Sequence, residues 1–214
     1  MNFRELHKIE EELRKRLDYP YIWGRKQNDL WDRHSGFIYN TPGWEEVLEL
    51  ARHAAVKHGL EQKAFLDYTA NRWYNFRSAK AVEAIFRNVP GVLPVMNEKD
   101  RLRDFNLKGM DVDLKTSVFP QGFGHDLHYA KDHPRELISW LYNNQSSQQR
   151  MHLANRLFLI VYTEGGEHWK LKAEISLIKQ VIEDYVANFD PQKMLKFEFH
   201  PGKTTYSDVI WLVK

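Results

Sequence analysis

Two aspartates and a lysine lie in a short stretch of the sequence that alternates polar and apolar residues. The stretch runs from Asp104 to Ser117, and its second half contains Asp-Val-Asp-Leu-Lys, ending at Lys115. Successive side chains of a strand point to opposite faces, so Asp113 and Lys115 would share one face. Carboxylates can hold a divalent cation, and an amine beside them can orient an attacking water or offset negative charge. Such a site can bind a phosphodiester oxygen, lower the pKa of a bound water and stabilise the charge that develops in an in-line displacement.

A turn between two strands would bring the acidic residues together. Lys108-Gly109 has the composition of a two-residue hairpin turn, and such a turn places Asp104 directly opposite Asp113. A four-residue loop would keep this register, whereas a three-residue loop would shift it by one. Opposed residues have Cβ atoms about 4.5–5.5 Å apart, where two carboxylates repel each other unless a cation lies between them. Oxygen ligands with open positions favour Mg²⁺ or Mn²⁺ over zinc.

Two further features bear on this hypothesis. Asp111 shares the face of Asp113 and would lie opposite Asn106, so it is either the metal ligand or an exposed charge, and its place beside the turn favours the exposed charge. The tripeptide acid-x-Lys also occurs at Glu61-Gln-Lys63, in a helical stretch with no acidic partner on a strand. The tripeptide alone is thus a weak signal. The alternative interpretation of the hairpin is a solvated polar face on which Lys115 pairs with an aspartate.

The elements that would position the hairpin indicate one mixed α/β domain. Periodicity and turn residues predict, in chain order, a helix over 79–87 capped by Ser78, strands at 101–108 and 110–118, a loop rich in glycine, histidine and aspartate at 119–133, a helix from Pro134 to about 153, strands at 157–163 and 168–173, a helix around 177–185, and strands at 194–199 and 207–213.

The residues before this domain predict a helical extension. Apolar residues recur at helical spacing over 3–17, over the segment from Trp44 to Gly59, where the glycine ends the pattern, and over 61–75. The stretch 19–42, in contrast, has the composition of an irregular packed connection. We therefore divide the chain into an extension of 1–77, for substrate recognition or dimerisation, and a core of 78–214.

An aspartate followed across a hairpin by Asp-x-Lys resembles the PD-(D/E)xK nuclease superfamily, which has the restriction-endonuclease-like fold. The resemblance rests on the order helix, hairpin, helix, strand over about 78–165 and on Asp104, Asp113, Leu114, Lys115, Thr116 and Ser117. Glu83 on the preceding helix matches an acidic residue that the family often carries there. The proline usually found before the first aspartate is absent, because Arg103 takes its place.

The resemblance implies a mixed sheet flanked by helices, with the helical extension before it, and a metal-dependent nuclease, foremost a DNA endonuclease. It implies that Asp104, Asp113 and the backbone carbonyl of Leu114 hold Mg²⁺ or Mn²⁺. Lys115 would position the water, and Glu83 would support a second ion or the lysine. The partner would be nucleic acid, foremost double-stranded DNA, cut by a single chain or a homodimer. A structured-RNA or tRNA nuclease on the same fold and a non-enzymatic nucleic-acid-binding or interaction module are the alternatives.

Other residues are candidates for contacts with nucleic acid, each with a structural alternative. Basic and aromatic residues alternate around Arg72 and Arg77, a pattern that stacks on nucleic acid or packs in a core. His125 lies in a loop with His128 and His133, which would bind zinc, touch substrate at the mouth of the site, or form a solvated polar loop. The remaining candidates are Thr116, Ser117, Gln145 and Gln149.

Composition excludes several classes of protein. The chain has 214 residues, of which 31 are basic and 29 acidic, and it has no cysteine. Disulfide scaffolds, thiolate zinc sites and cysteine nucleophiles are thereby excluded. The longest apolar run, at 157–162, is far shorter than the roughly 20 residues of a membrane span, and the first residues do not have the pattern of a leader. We therefore expect a soluble, cytoplasmic protein without membrane contact.

Overall fold

The computed structural model describes residues 2–25, 27, 30–95, 103–144 and 154–214, which form two compact units. The first unit is Met1–Val82 with Lys172–Ser176, and the second is Glu83–Leu171 with Leu177–Lys214. The boundary after Val82 falls within one long helix, as does the predicted division between residues 77 and 78.

The first unit is helical. Its helices are α1 (Phe3–Lys15), α2 (Leu30–His34), α3 (Trp44–His58) and the larger part of α4 (Gln62–Asn88). The helices predicted from the apolar spacing at 3–17 and after Trp44 are confirmed, and α3 ends at Gly59 with a left-handed φ of +61°. The stretch 19–42 is more regular than predicted, since it contains α2 and a 3₁₀ helix at Gly36–Tyr39.

A single helix, α4, replaces the two helices that the sequence predicts over 61–75 and 79–87. The prediction that Ser78 caps the second helix is wrong, because its hydroxyl donates to the backbone carbonyl of Lys172 at 2.9 Å. Apolar side chains before and after Ser78, such as Trp73 and Val82, are fully buried. A serine inside a helix is tolerated here because its hydroxyl has an acceptor outside the helix.

The length of α4 does not make it a candidate for a membrane span. The helix has 27 residues, but charged side chains such as Asp67, Arg72 and Arg77 interrupt it. Within the described ranges of the chain, no helix combines the length and the apolar character that crossing a bilayer requires.

The second unit is built on a six-stranded mixed sheet of strand order β1-β2-β3-β4-β6-β5. The strands are β1 (Val92–Pro94), β2 (Phe105–Leu107), β3 (Met110–Val118), β4 (Arg156–Tyr162), β5 (Leu195–His200) and β6 (Lys203–Val213). The central strands β3, β4 and β6 run parallel, and the outer pairings are antiparallel. The expected α/β class, with a mixed sheet flanked by helices, is confirmed.

Helices α5 (Leu127–Asp132) and α6 (Pro134–Asn144) lie between β3 and β4 in the chain, and α7 (Ile175–Asn188) lies between β4 and β5. The predicted loop at 119–133 therefore contains a helix, which begins where the Asp126 side chain accepts the backbone N–H of Tyr129 at 2.8 Å. The helix predicted to continue from Pro134 to about residue 153 is described as far as Asn144, and residues 145–153 lie outside the described residues.

The sheet differs from the prediction at two other places. The strand β1, which ends at Pro94, is not among the predicted strands. The segment 168–173 is predicted as a strand but forms a 3₁₀ helix, His168–Ala173. Strand β4 already has β3 on one side and β6 on the other, so an additional strand has no place beside it.

The core of the second unit lies between the sheet and α6. Leu137, Ile138 and Leu141 of α6 pack with Phe158 and Ile160 of β4. The helix thereby covers one face of the central strands, and this burial fixes the side of the sheet to which each residue of β4 points.

Both outer strands of the sheet are irregular. The strand β1 has three residues and ends at Pro94, which has no backbone N–H to donate. On the opposite border, β5 shifts register between Glu198 and His200.

Candidate active site

The β2–β3 hairpin has the predicted register. Lys108 and Gly109 form its turn with positive φ angles of 45° and 93°, as a type I′ turn requires. The register places Phe105 opposite Val112, Asn106 opposite Asp111, and Leu107 opposite Met110. The backbone N–H of Asp104 also donates to the carbonyl of Val112 at 2.8 Å, so the hairpin ladder reaches the first aspartate.

Helix α4 holds the apolar side of this hairpin. Phe86 of α4 stacks on Phe105 with ring centroids 4.6 Å apart, and both rings are buried with Val112. Because side chains alternate along each strand, Asp104 and Asp113 take the opposite face. The packing of the two rings therefore fixes the direction in which the carboxylates point.

Asp104 is anchored by the backbone of the neighbouring strand. Its Oδ2 accepts the N–H of Leu114 at 2.7 Å, and its Oδ1 has no hydrogen-bond partner among the described residues. Burial raises the pKa of Asp104, and the charges of Asp113 and Glu83 raise it further, while the Leu114 N–H and the Lys115 charge lower it. Four of the other predicted site residues therefore lie close enough to Asp104 to affect its pKa, namely Leu114, Asp113, Lys115 and Glu83.

Asp113 is buried and paired with two cations. Its Oδ1 accepts Lys115 Nζ at 2.8 Å, and its Oδ2 accepts Arg156 Nε at 2.7 Å. Lys115 reaches it along the same face of β3, and the parallel pairing of β3 with β4 sets Arg156 directly beside it. Each carboxylate oxygen therefore has a charged donor.

Arg156 is the residue of this site that sequence reasoning missed. Its guanidinium carbon lies 4.9 Å from the centroid of the Tyr142 ring, and its side chain is 8% exposed. The Tyr142 hydroxyl contacts Ser207 Oγ at 2.7 Å and donates to the carbonyl of Ala154 at 2.9 Å. Burial raises the pKa of Tyr142 to about 12, so the ring stays neutral beneath the arginine. A cation at the start of an otherwise apolar strand was the available signal.

Glu83 and Asp111 lie near the pair in different ways. Glu83 forms an ion pair with Arg87 one turn along α4, and its charge contributes to the raised pKa of Asp104. Asp111 accepts Asn106 Nδ2 at 2.7 Å and Arg103 Nη1 at 2.6 Å. Its side chain is half-exposed and bound to hairpin residues, which agrees with the interpretation as a charge near the turn.

The candidates for nucleic-acid contacts fall in different places. Thr116 and Ser117 follow Lys115 on β3, and the Ser117 hydroxyl donates to the carbonyl of Val118 at 3.0 Å. Arg72 and Arg77 belong to the first unit. The Arg72 guanidinium donates hydrogen bonds to the Asp32 carbonyl at 2.9 Å, to the Tyr39 hydroxyl at 2.8 Å and to the Ser35 hydroxyl. The Arg77 guanidinium donates to the Ile38 carbonyl at 3.4 Å. Gln145 and Gln149 lie outside the described residues.

The histidines around α5 form a stack of rings. His125 and His133 each stack on Tyr129 with centroids 4.0 Å apart, and His128 lies 3.4 Å from Asp132. Over the described part of the chain, no group of three or more histidine, aspartate or glutamate side chains is arranged to hold a metal ion. The zinc alternative for this segment therefore has no support from the described side chains.

The hairpin offers oxygen ligands for a divalent cation, but fewer than would fill the coordination sphere of the ion. Two of these ligands are Asp104 Oδ1 and the Asp113 carboxylate. The N–H and C=O of one strand residue point to the same side, so the Leu114 carbonyl faces the side of β3 on which Asp104 accepts its N–H. These ligands fit Mg²⁺ or Mn²⁺, which keep several bound waters, if Asp113 gives up one cationic partner.

Comparison with known proteins does not identify a family for the chain. No family model, no curated protein and no solved structure matches it. The functional interpretation therefore rests on the geometry of the hairpin and on its neighbours in the second unit.

Proposed function

We propose that this protein is a metal-dependent nuclease that hydrolyses phosphodiester bonds, with double-stranded DNA as its substrate. The observation that carries the proposal is the arrangement of two aspartates and a lysine across one hairpin. Asp104 accepts the N–H of Leu114 at 2.7 Å, and Lys115 lies 2.8 Å from Asp113. Two carboxylates from neighbouring strands beside an amine suit hydrolysis of a phosphate ester.

In this mechanism, Asp104, Asp113 and the carbonyl of Leu114 would hold Mg²⁺ or Mn²⁺. When bound, such an ion stabilises negative charge on the phosphate and lowers the pKa of a bound water. The Lys115 ammonium orients the attacking water and offsets the charge that develops on the phosphate. Glu83, whose charge already influences Asp104, supports the lysine or a second ion.

The order of elements around the hairpin supports the same proposal. Helix α4 precedes the hairpin and carries Glu83, and α6 and β4 follow it. This is the order that the resemblance to the PD-(D/E)xK superfamily implies over about 78–165. On this proposal the first unit recognises the substrate or joins two chains into a homodimer.

A cleavage assay tests the function. The full chain is incubated with duplex DNA, single-stranded DNA or RNA in Mg²⁺, Mn²⁺ or EDTA. We expect nicking of duplex DNA with either metal and none with EDTA, and weaker binding as salt is added, because phosphate contacts release counterions. Equal nicking by wild type and Lys115→Ala would contradict the mechanism. Cleavage of RNA alone would replace the substrate with structured RNA.

One observation favours the non-enzymatic alternative, in which the hairpin belongs to a nucleic-acid-binding or interaction module. Both oxygens of Asp113 are paired with cations, so this carboxylate needs no metal ion to balance its charge. Calorimetry distinguishes the two functions, because a nuclease should bind Mn²⁺ and lose that binding in Asp104→Asn. Absence of Mn²⁺ binding in wild type, with and without nucleic acid, would favour the binding module.

A further inference from the structure

We infer that Lys115 and a divalent cation are alternative occupants of Asp113, so that nucleic acid promotes metal binding by drawing Lys115 away. The inference rests on the proposed function and concerns the regulation of the same site. Its starting point is the double pairing of the Asp113 carboxylate with Lys115 and Arg156.

The two cations on Asp113 differ in how firmly they are held. The Arg156 side chain is 8% exposed, lies on the Tyr142 ring and donates to Asp113 from its Nε. The Lys115 side chain is 47% exposed, and Asp113 is its acceptor. Removing Arg156 from the carboxylate would leave a buried guanidinium without its counter-charge, whereas Lys115 can leave for solvent. Lys115 is therefore the exchangeable partner.

The exchangeable partner occupies the oxygen that an ion would need. Arg156 takes Oδ2 of Asp113, so an ion shared with Asp104 would bind Oδ1, where Lys115 Nζ now lies at 2.8 Å. An ammonium and a divalent cation at one oxygen repel each other strongly. Metal binding to the free protein consequently requires Lys115 to move.

A phosphodiester gives Lys115 another anion to bind. The exposed end of the side chain can exchange the Asp113 carboxylate for a phosphate oxygen while the arginine keeps the aspartate in place. Asp113 Oδ1 then becomes available to the ion, so nucleic acid and metal bind with positive coupling. Because such coupling is reciprocal, the metal also strengthens binding of the nucleic acid.

The first experiment uses the metal alone. Mn²⁺ is titrated calorimetrically into the full-length wild type, Lys115→Met and Lys115→Gln without nucleic acid. We expect both variants to bind Mn²⁺ roughly tenfold more tightly than wild type, a coupling of ordinary size. The control is Lys179→Met, because Lys179 pairs with Glu183 on α7 at 2.6 Å and should leave the affinity unchanged. Adding Asp104→Asn to Lys115→Met should remove the gain.

The second experiment adds a duplex whose phosphodiesters are replaced by hydrolysis-resistant phosphorothioates. The duplex should raise the Mn²⁺ affinity of wild type several-fold, and it should raise that of Lys115→Met much less. Mn²⁺ titrated into the duplex alone gives the background to subtract, because the nucleic-acid backbone also binds cations. An equal rise in affinity in the two proteins would contradict the coupling through Lys115.

Failure of the inference and failure of the function give different results. Equal Mn²⁺ affinity in wild type and Lys115→Met, without nucleic acid, overturns the inference, and the cleavage assay still decides the function. Tighter binding by Lys115→Met, with no cleavage of any nucleic acid by wild type, supports the inference and overturns the function. If neither wild type nor Lys115→Met binds Mn²⁺ under any condition, the inference and the proposed function are both wrong.

Discussion

The chain carries the same kind of tripeptide, an acid and a lysine two residues apart, in each of its two units. In the first unit, Glu61 accepts the backbone N–H groups of Lys63 at 3.0 Å and Ala64 at 2.6 Å, and it thereby caps α4. Lys63 pairs with Asp67 one turn along the helix at 2.8 Å. The side chains of Glu61 and Lys63 therefore form no ion pair with each other.

In the second unit, the acid and the lysine bind each other. Asp113 and Lys115 lie on one face of β3 with a contact of 2.8 Å, and Arg156 of the neighbouring strand binds the same carboxylate. The period of the backbone explains the difference, because residues two apart share a face in a strand but not in a helix. Similar residues therefore cap a helix in one unit and form a candidate site in the other.

The largest contrast between the tripeptides should be in activity. We expect Lys115→Met to reduce the rate of duplex nicking in Mg²⁺ by about 10²–10³-fold, because loss of one group that stabilises charge in the transition state costs about that much. Lys63→Met should leave the rate unchanged, since Lys63 pairs on the surface of α4. Initial rates at saturating metal measure both effects. Equal losses in the two variants would contradict the assignment of Lys115 to the chemistry.

The next contrast is in stability. Asp113→Ala should lower the free energy of unfolding by about 3–5 kcal/mol, because it leaves the buried Arg156 without its counter-charge. Glu61→Ala should lower it by only about 0.5–2 kcal/mol, the usual range for a lost helix cap. Urea titrations followed by circular dichroism give both values. A smaller cost for Asp113→Ala than for Glu61→Ala would mean that the aspartate–arginine pair is not a structural unit.

A third lysine, Lys172, differs from Lys63 and Lys115 because no carboxylate pairs with it among the described residues. Lys172 in the first unit donates to Asn75 Oδ1 at 2.9 Å, and burial lowers its pKa to about 8. The unfolded chain then holds this proton more tightly, so stability should rise between about pH 8 and pH 10.5. Lys172→Met should stabilise the protein by about 2 kcal/mol at pH 7, with the gain fading across that window. Thermal melts at several pH values measure the difference, and a gain that does not change with pH would contradict it.

The smallest effect should come from Asp104. Burial raises its pKa in the folded state, so the folded protein favours the protonated carboxyl, and stability falls as the pH rises from the carboxyl's unfolded pKa through its folded pKa. Asp104→Asn should therefore stabilise the protein slightly at neutral pH, by less than Lys172→Met, and the gain should disappear as the pH falls below the unfolded pKa. Paired urea titrations at neutral and acidic pH test the sign. A loss of stability at neutral pH would show that the Leu114 N–H and the Lys115 charge stabilise the ionised carboxylate more than its burial destabilises it.

The hairpin and its register could be predicted because the signals are local. A two-residue turn of Lys108-Gly109 between alternating strands sets every cross-strand pair, including the approach of Asp104 to β3. Arg156 could not be predicted in this way, because its contact with Asp113 depends on a parallel pairing between segments that are distant in the chain. Sequence periodicity predicts which side chains share a face of a strand, but it does not predict which strand lies beside it in the sheet.

The continuity of α4 and the 3₁₀ helix at 168–173 were missed for related reasons. Ser78 has the composition of a cap, and only its contact with the Lys172 carbonyl shows why the helix continues through it. The segment 168–173 alternates as a strand would, but the sheet has no vacancy beside β4. In both places tertiary packing overrides the local preference.

The irregular borders of the sheet affect how this protein can associate with others. Among the described strands, β1 ends in a proline that cannot donate to another strand, and β5 is interrupted between Glu198 and His200. Neither border is a regular template for edge-to-edge aggregation. A dimer of this protein would accordingly bury helical or loop surfaces rather than join two sheets into a continuous one.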